Sequence, residues 1–266
     1  IAAGVGDAGN VLVQADSIAM DSGAYVSTAS DQGGIGNAGR VELRAVGDVA
    51  IRGGAFVNSD AFGTGNAGDV LVAARSLSVA DGGRISSVTF SAVGVGGRVT
   101  VQTSGELAVL GGATADQPAS ISTSTFGTRD GGAIAISTGS LRMDGAGASI
   151  ASFAQSGSTG NAGSIDVQAS GSVRITGGAG ISTSTASLGH GGSVSVRAAE
   201  VRIEDLSGIF SSALQASLGN AGSVDVQASG DLLLRNGVLS SSTFGGGAAG
   251  DVRAQAARVL LQGRDA

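Results

Sequence analysis

The sequence predicts an all-β fold, a parallel β-helix (solenoid) of about nine coils with three short strands in each coil. The first observation is a repeat of about 30 residues whose turns close on a glycine. The second is the alternation of apolar and polar residues inside each repeat. The third is a composition unsuited to an ordinary globular core, with 3% aromatic residues and 48 glycines among 266 residues. A fixed period of this size is typical of stacked repeat proteins.

The repeat is clearest at its turns, where the sequence Gly-Asn-Ala-Gly returns. Its copies stand at 36–39, 65–68, 160–163 and 219–222. Related turns close at other glycines, and the intervals between successive closing glycines run from 28 to 35 residues. The closing glycines are Gly9, Gly39, Gly68, Gly97, Gly132, Gly163, Gly192, Gly222 and Gly250. Each interval suits one coil of a solenoid.

Three runs in each repeat predict three strands. After Gly163, residues 165–169 read IDVQA, residues 173–175 read VRI and residues 181–185 read ISTST. The first two runs alternate at the period of a strand with one buried face. Gly, Ser, Asp and Asn separate the runs and predict turns. A single coil cannot bury its own apolar face, so the coils are expected to stack into a rod roughly 43 Å long.

One position in the turns predicts a ladder of polar side chains along the rod. The residue two places before the closing glycine is an amide, a carboxylate or an imidazole in most repeats. Stacked amides are expected to hydrogen-bond along the axis, and Asn also suits a turn. We therefore predict a structural role in preference to ligand binding. The set consists of Asp7, Asn37, Asn66, Asp130, Asn161, His190 and Asn220.

A second ladder is predicted just after the third strand, where large apolar side chains recur. We interpret it as a corner stack that covers one end of the core. The alternative is a platform on which carbohydrate rings stack. The set consists of Phe62, Phe90, Phe126, Leu214 and Phe244.

The charged residues predict neither a nucleic-acid surface nor a membrane span. The formal net charge is −6, and all 15 basic residues are arginines scattered beside Asp and Glu. Such mixed charge differs from the basic stripe of nucleic-acid-binding proteins. No apolar run approaches the roughly 18 residues that indicate a transmembrane helix. The chain contains no cysteine, which excludes disulfides and thiolate metal sites.

The candidate catalytic residues form no recognisable constellation. His190 is the only histidine and takes the place of Asn in the ladder, so a triad built around it is disfavoured. Glu204 and Asp205 are the only adjacent acids, whereas Asp69 and Asp251 share a repeat position far apart along the axis. Sugar hydrolysis needs two acids about 5 to 10 Å apart in a groove. We predict no enzymatic activity and no cofactor or metal, with calcium restricted to isolated turns.

The ISTST runs at 121–125 and 181–185 raise one alternative function. Ranks of small hydroxyl groups on a flat β-helix face can order water and bind ice. The corresponding residues at 57–61 and 150–154 interrupt the threonine rank. Ser and Thr also suit strand surfaces for ordinary reasons. Ice binding is therefore kept as an alternative to the main prediction.

One repeat is longer than the others, with an interval of 35 residues. Its extra residues fall in 113–119, a segment that contains the only proline, Pro118. A longer loop on a uniform solenoid is either a tolerated insertion or a place where function is added.

Glycine-rich segments with small hydroxyl residues give the chain a resemblance to a known family. The segments 177–185 (GGAGISTST) and 239–245 (LSSSTFG) are similar to repeats of filamentous-haemagglutinin-like exoproteins of bacterial two-partner secretion. The resemblance covers essentially the whole chain and implies a right-handed parallel β-helix. It also implies export through an outer-membrane partner transporter and a role at the cell surface. The match is to the repeat shaft of that family and not to its amino-terminal secretion domain.

We predict that residues 1–266 form one β-helix domain, a segment of a longer repetitive chain. Its expected function is that of a structural or adhesive shaft of a secreted or cell-surface bacterial protein. The ends carry no obvious polar cap, so end-to-end pairing with another copy is one expected partnership. A host or cell-surface glycan or protein is another. The alternatives are a self-assembling filament or sheath subunit, a carbohydrate-active β-helix enzyme and an ice-binding protein.

Overall fold

The computed structural model describes residues 4–112 and 118–263, and these residues form a parallel β-solenoid. The strands β1 to β26 follow a fixed order, and each pairs in parallel with the strands three places before and after it. The described residues contain no helix, so none in that part of the chain has the length and apolar character needed to span a membrane. The predicted all-β class, the parallel stacking and the three strands per coil are confirmed.

The strands form three sheets, one for each side of a coil. The first sheet contains β1 (Val11–Ala15), β4 (Val41–Ala45), β7 (Val70–Ala74), β10 (Val99–Thr103), β13 (Ile134–Thr138), β16 (Ile165–Ala169), β19 (Val194–Ala198), β22 (Val224–Ala228) and β25 (Val252–Gln255). The second sheet contains β2 (Ile18–Met20), β5 (Asp48–Ile51), β8 (Ser76–Ala80), β11 (Glu106–Leu110), β14 (Ser140–Asp144), β17 (Ser172–Thr176), β20 (Glu200–Glu204), β23 (Asp231–Arg235) and β26 (Arg258–Gln262). The third sheet contains β3 (Tyr25–Ser30), β6 (Phe56–Ala61), β9 (Arg84–Thr89), β12 (Ser120–Thr125), β15 (Ser149–Ala154), β18 (Gly180–Thr185), β21 (Gly208–Ala213) and β24 (Val238–Thr243).

The expected number of about nine coils is slightly too high. The first and second sheets are 9-stranded but the third is 8-stranded, which gives eight complete coils. β25 and β26 begin a ninth coil that has no third strand among the described residues. Each closing glycine predicted one coil, but the turn at Gly250 opens this incomplete coil.

The strands of each sheet stack in register, so equivalent residues lie above one another. In the first sheet, Val167 pairs with Ile136 of the preceding coil and with Val196 of the following coil. All three side chains point inward and are at most 2% exposed, whereas Asp166 and Gln168 face outward. Burying each such side chain contributes about 1.5–3 kcal/mol. The core is therefore a continuous aliphatic column shared by all coils.

The corner between the second and third sheets requires a left-handed backbone. After β17, Gly177 and Gly178 adopt φ angles of 68° and 83°, which glycine reaches without strain. After β20, Asp205 and Leu206 adopt φ angles of 55° and 64° at the equivalent corner. The N–H of Gly178 donates to the carbonyl of Asp205 at 3.0 Å. Stacking thus imposes the corner on residues that rarely adopt this conformation by themselves.

The longer repeat is described only at its edges. Residues 113–117 of the predicted loop at 113–119 lie outside the described residues. Pro118 and Ala119 lead into β12, and Ala119 is fully buried.

Replacing Val167 with Asp tests the assignment of the inward face. We expect Val167→Asp to lower the free energy of unfolding by about 3 kcal/mol or more, because a carboxylate would enter the aliphatic column without a partner. The matched control is Ser137→Asp at an exposed position of the neighbouring strand β13, with an expected change within about 0.5 kcal/mol. Denaturant unfolding followed by circular dichroism provides the measurement. Equal stability of the two variants would show that the inward face is assigned wrongly.

Candidate functional site

The turn with the Gly-Asn-Ala-Gly motif connects the third sheet to the first, and its backbone leaves no room for a side chain at two positions. A Cβ atom added to the closing glycine Gly163 would overlap the carbonyl oxygen of Gly132 in the preceding coil. A Cβ atom at Gly219, the first glycine of a motif, would overlap the carbonyl oxygen of Gly189. The same overlap recurs at Gly39, Gly65, Gly68, Gly97, Gly132, Gly160, Gly192, Gly222, Gly247 and Gly250. The stacking distance explains the motif without a ligand.

The polar ladder predicted between these glycines links one coil to the next. Oδ1 of Asn161 accepts the N–H of His190 at 2.7 Å, and Nδ1 of His190 accepts the N–H of Asn220 at 2.9 Å. Oδ1 of Asn37 likewise accepts the N–H of Asn66 at 2.9 Å. These side chains satisfy turn amides that have no strand partner. Nδ1 of His190 therefore serves as a hydrogen-bond acceptor in the ladder.

Direct contact between neighbouring side chains in this ladder is less frequent than the sequence suggested. Nδ2 of Asn37 donates to Oδ1 of Asp7, and Nδ2 of Asn161 donates to Oδ1 of Asp130, each at 3.0 Å. The main link instead joins a side-chain acceptor to a backbone donor. A carboxylate, an amide or a neutral imidazole can each fill this role, which explains the mixture of residue types at the position.

A third ladder, which was not predicted from the sequence, consists of hydroxyl groups behind the turn. Oγ of Ser211 donates to the carbonyl of Gly192 at 2.9 Å and accepts the N–H of Gly222 at 2.7 Å. Oγ of Ser241 joins Gly222 and Gly250 in the same way, at 2.8 Å to each. Ser211 and Ser241 therefore each join the closing glycines of two successive coils. The ladder consists of Thr28, Ser59, Ser87, Thr123, Ser152, Thr183, Ser211 and Ser241.

The alternation along the third strand was a signal for this ladder. In the run at 181–185, Thr183 and Thr185 lie on the same inward face of the strand as Ile181, and all three are 0% exposed. Ser182 and Ser184 occupy the outward positions. Thr123 and Thr125 in the other ISTST run are also buried. The threonines that suggested ice binding therefore bond inside the solenoid.

The aromatic ladder lies on the outer surface, at the ends of the third strands. The rings of Phe62 and Phe90 stack with 4.7 Å between centroids, and those of Phe90 and Phe126 with 4.8 Å. Phe244 stands apart near the other end and is 68% exposed. Because its neighbours cover both faces of Phe90, a sugar ring cannot stack on it. The positions between Phe126 and Phe244 hold Gln155, Ala186 and Leu214.

Two of the acidic residues singled out in the sequence, Glu204 and Asp69, contact arginines and a backbone amide respectively. The Glu204 side chain is only 5% exposed. Its Oε2 lies 3.3 Å from Nη2 of Arg174, and its Oε1 lies 2.8 Å from Nη2 of Arg235. Oδ1 of Asp69 accepts the N–H of Arg98 at 2.8 Å. Among residues 4–112 and 118–263 there is no group of three or more His, Cys, Asp or Glu that could hold a metal ion.

One carboxylate is buried within the third sheet. Oδ1 of Asp60 accepts the N–H of Val88 at 2.9 Å, and Nδ2 of Asn58 donates to its Oδ2 at 2.5 Å. The pairing between β6 and β9 omits Asp60 and Val88, because the side chain of Asp60 replaces a backbone acceptor. Burial raises the pKa of Asp60 above its ordinary value, although these two hydrogen bonds oppose the shift.

A trough follows the edge where the first and second sheets meet. Three cavities of about 570, 420 and 470 Å³ lie along this edge. The first shares Ser104 with the second and shares Arg197 and Ser229 with the third, so the cavities form one feature parallel to the axis. One wall is a rank of outward side chains near the ends of the first-sheet strands. The rank consists of Gln14, Arg44, Ala73, Gln102, Ser137, Gln168, Arg197, Gln227 and Gln255.

The described lining of the trough contains arginines and amides but no carboxylate. The side chains of Arg44, Arg75 and Arg197 are 49%, 63% and 49% exposed. Each arginine contacts one carboxylate outside the lining. These contacts are to Glu42 at 2.8 Å, Asp48 at 2.7 Å and Asp166 at 3.4 Å. The lining itself thus offers cationic and neutral donors, and a carboxylate at its rim contacts each of the three arginines.

No family model, curated protein or solved structure matches this chain.

The glycine stack predicts a strong position dependence for alanine substitution. We expect Gly163→Ala to lower the free energy of unfolding by about 2–4 kcal/mol, because its Cβ atom would force two coils apart. The control is Gly9→Ala, a closing glycine with nothing within 4 Å of its added Cβ atom, which we expect to change stability by less than about 1 kcal/mol. Thermal and denaturant unfolding provide the measurement. Similar losses in the two variants would contradict a steric origin of the motif.

Asp60→Asn is expected to change the pH dependence of stability. Because the folded-state pKa of Asp60 is raised, the folded protein holds this proton more tightly than the unfolded chain. The free energy of unfolding of the parent protein should therefore fall as the pH rises from about 4 through the folded-state pKa. Asp60→Asn removes that contribution and keeps an acceptor for the N–H of Val88. Its new NH2 group would face Nδ2 of Asn58, so the amide of Asn58 must rotate to present Oδ1, which is buried without a partner in the parent protein. With that rotation, Asp60→Asn should be the more stable protein at pH 7.

The measurement is denaturant unfolding from pH 4 to pH 8, with Asp16→Asn at an exposed corner as the control. The difference between Asp60→Asn and the parent should grow with pH, whereas Asp16→Asn should not show that growth. A pH-independent difference, or a less stable Asp60→Asn protein at pH 7, would contradict the burial argument.

Proposed function

We propose that this chain is a rigid structural shaft of an exported bacterial protein, which supports adhesion at the cell surface. The observation that carries the proposal is the in-register parallel stack that extends from β1 to β26. Every coil is hydrogen-bonded to its neighbours through the sheets, and the ladders extend this bonding into the turns. Bending the solenoid would require many parallel hydrogen bonds to lengthen together.

The distribution of polar side chains also favours a shaft over a catalyst. The only histidine accepts a backbone hydrogen bond within the turn ladder, and Glu204 is held between two arginines. Side chains that would be needed for acid–base chemistry are thus used to join coils. A repeated unit with these fixed contacts supplies length, as in other solenoids whose repeats contact mainly their neighbours.

The cell-surface part of the proposal rests on the resemblance of segments such as 177–185 to haemagglutinin-like repeats. Export through an outer-membrane partner transporter belongs to the same proposal. The absence of cysteine is compatible with passage through an oxidising compartment, because no thiol can be mispaired there.

Immunogold labelling of intact cells of the source organism tests this proposal. Antibodies raised against the purified chain should label unpermeabilised cells, and protease added outside the cells should remove the label. Labelling that requires permeabilised cells would contradict a surface shaft. A cytoplasmic protein of similar abundance provides the control for cell integrity.

A further inference from the structure

We propose that the trough between the first and second sheets is a binding site for a linear polysaccharide that carries carboxylate groups, such as a polyuronate. This inference deepens the proposed adhesive role by naming a ligand class and a surface, and it rests on that proposal for its biological setting. Binding itself can be measured on the isolated chain.

The shape of the trough favours a long, unbranched ligand. Its three cavities join along one edge and extend over residues of the first sheet from Gln14 to Gln255. The wall residues recur once per coil, at a spacing of about 4.8 Å. A compact ligand would use one coil or two, whereas an extended chain would meet an equivalent surface in every coil.

The floor of the trough is low because the edge is built from small residues. Ala45, Ala74, Thr138, Ala169 and Ala198 end strands of the first sheet and line the cavities. A single residue separates β7 from β8, β13 from β14 and β19 from β20, so no loop rises over the edge at these coils. A ligand can therefore approach the backbone closely between the wall and the corner.

The hydrogen-bonding groups of the wall suit hydroxyl and carboxylate oxygens. Gln102, Gln168 and Gln255 face outward and are exposed, and a glutamine amide both donates and accepts. The Nε2 of Gln168 already donates to Oδ2 of Asp166 at 2.7 Å, which fixes the orientation of this amide. Ser104, Ser170 and Ser229 add hydroxyl groups on the other wall.

The charge of the lining favours an anionic ligand over a neutral one. Arg44, Arg75 and Arg197 line the trough, and the described lining contains no Asp or Glu. An arginine has five N–H donors, and the rim carboxylate of each uses only part of them. Arginine also binds carboxylates with two parallel hydrogen bonds. Carboxylates spaced along a polysaccharide would meet these guanidinium groups at separate coils.

The rest of the surface offers a matched comparison. Arg142, Arg174 and Arg202 also stack in register, on the outward face of the second sheet. They lie outside the trough lining, and each contacts a carboxylate on the same face. A ligand attracted by arginine alone would use both sets, whereas a ligand that needs the trough would use only Arg44, Arg75 and Arg197.

The test is fluorescence anisotropy with an end-labelled oligogalacturonate, long enough to span the roughly 24 Å between the coils of Arg44 and Arg197. We expect saturable binding that weakens with salt. The double variant R44Q/R197Q should bind at least about tenfold more weakly, because two charge-assisted contacts are lost. The control R142Q/R202Q has the same change in charge outside the trough and should bind within about twofold of the parent.

Several results would overturn the proposal. An absence of saturable binding by the parent chain would show that the trough is not a binding site for this polymer. Equal weakening in the two double variants would assign the binding to general electrostatics. Equal affinity for a neutral dextran oligomer would remove the requirement for carboxylates, and stronger binding of single-stranded DNA would assign the trough to a different polymer. Unfolding curves of both double variants should match the parent, so a loss of binding reports on the site.

The same preparation separates this proposal from the shaft proposal. If antibodies against the chain label intact cells but the purified chain does not bind oligogalacturonate, the shaft proposal stands and the trough proposal is wrong. If the trough binds but the protein is found only inside cells, the adhesive role is wrong and the binding activity needs another setting.

Discussion

The structure depends on one constraint: successive coils must superpose closely enough for backbone hydrogen bonds to form between them in three sheets. At the turn that leads from the third sheet to the first, this requirement brings glycine backbones directly onto the carbonyl oxygens of the coil before. Any larger residue at these positions would separate the coils. The glycine repeat in the sequence follows from this contact, and the near-constant repeat length follows from the need for every coil to trace the same path.

The polar side chains supply hydrogen-bond partners for backbone groups of the turns, which the stacked strands do not reach. Oδ1 of Asn161 and Nδ1 of His190 accept N–H groups of the next coil, and the hydroxyl of Ser211 bonds to two closing glycines. An unpaired buried amide or carbonyl costs about 1–3 kcal/mol. The ladders therefore stabilise the turns as the aliphatic column stabilises the sheets. Their side chains are committed to the fold, which explains why the chemistry-bearing residues of the chain form no reactive cluster in the described part.

The sequence predicted the fold well, because a period of about 30 residues and an alternation at period 2 both report directly on stacking. It overestimated the number of coils, since the glycine turn at Gly250 opens a coil without a third strand among the described residues. The inward orientation of Thr183 was not predicted, although Thr183 stands two residues after Ile181 and therefore lies on the same face of the strand. The sequence predicted the positions of the ladder residues, but it could not distinguish amide stacking from the side-chain-to-backbone bonds that occur.

Other features could not be found from the sequence for a physical reason. The trough is assembled from residues such as Arg44 and Arg197 that lie far apart in the chain and share a wall only after stacking. The burial of Asp60 depends on its side chain, which accepts the N–H of Val88 in β9 where a backbone carbonyl of β6 would otherwise do so. Local patterns record which residues face inward, whereas grooves and buried charges depend on the shape of the finished stack.

Amide hydrogen exchange, measured residue by residue by NMR on the intact chain, tests whether the turns are stacked as firmly as the sheets. If the turns are stacked as firmly as the sheets, the N–H groups of His190 and Asn220 should exchange within about tenfold of the rates of Val167 and Val196. These two turn amides donate to side chains and not to a neighbouring strand, so any protection from exchange would come from the side-chain ladder. Exchange of His190 and Asn220 at the rate of an exposed loop, with the sheet amides still protected, would show that the ladder does not hold the turns together.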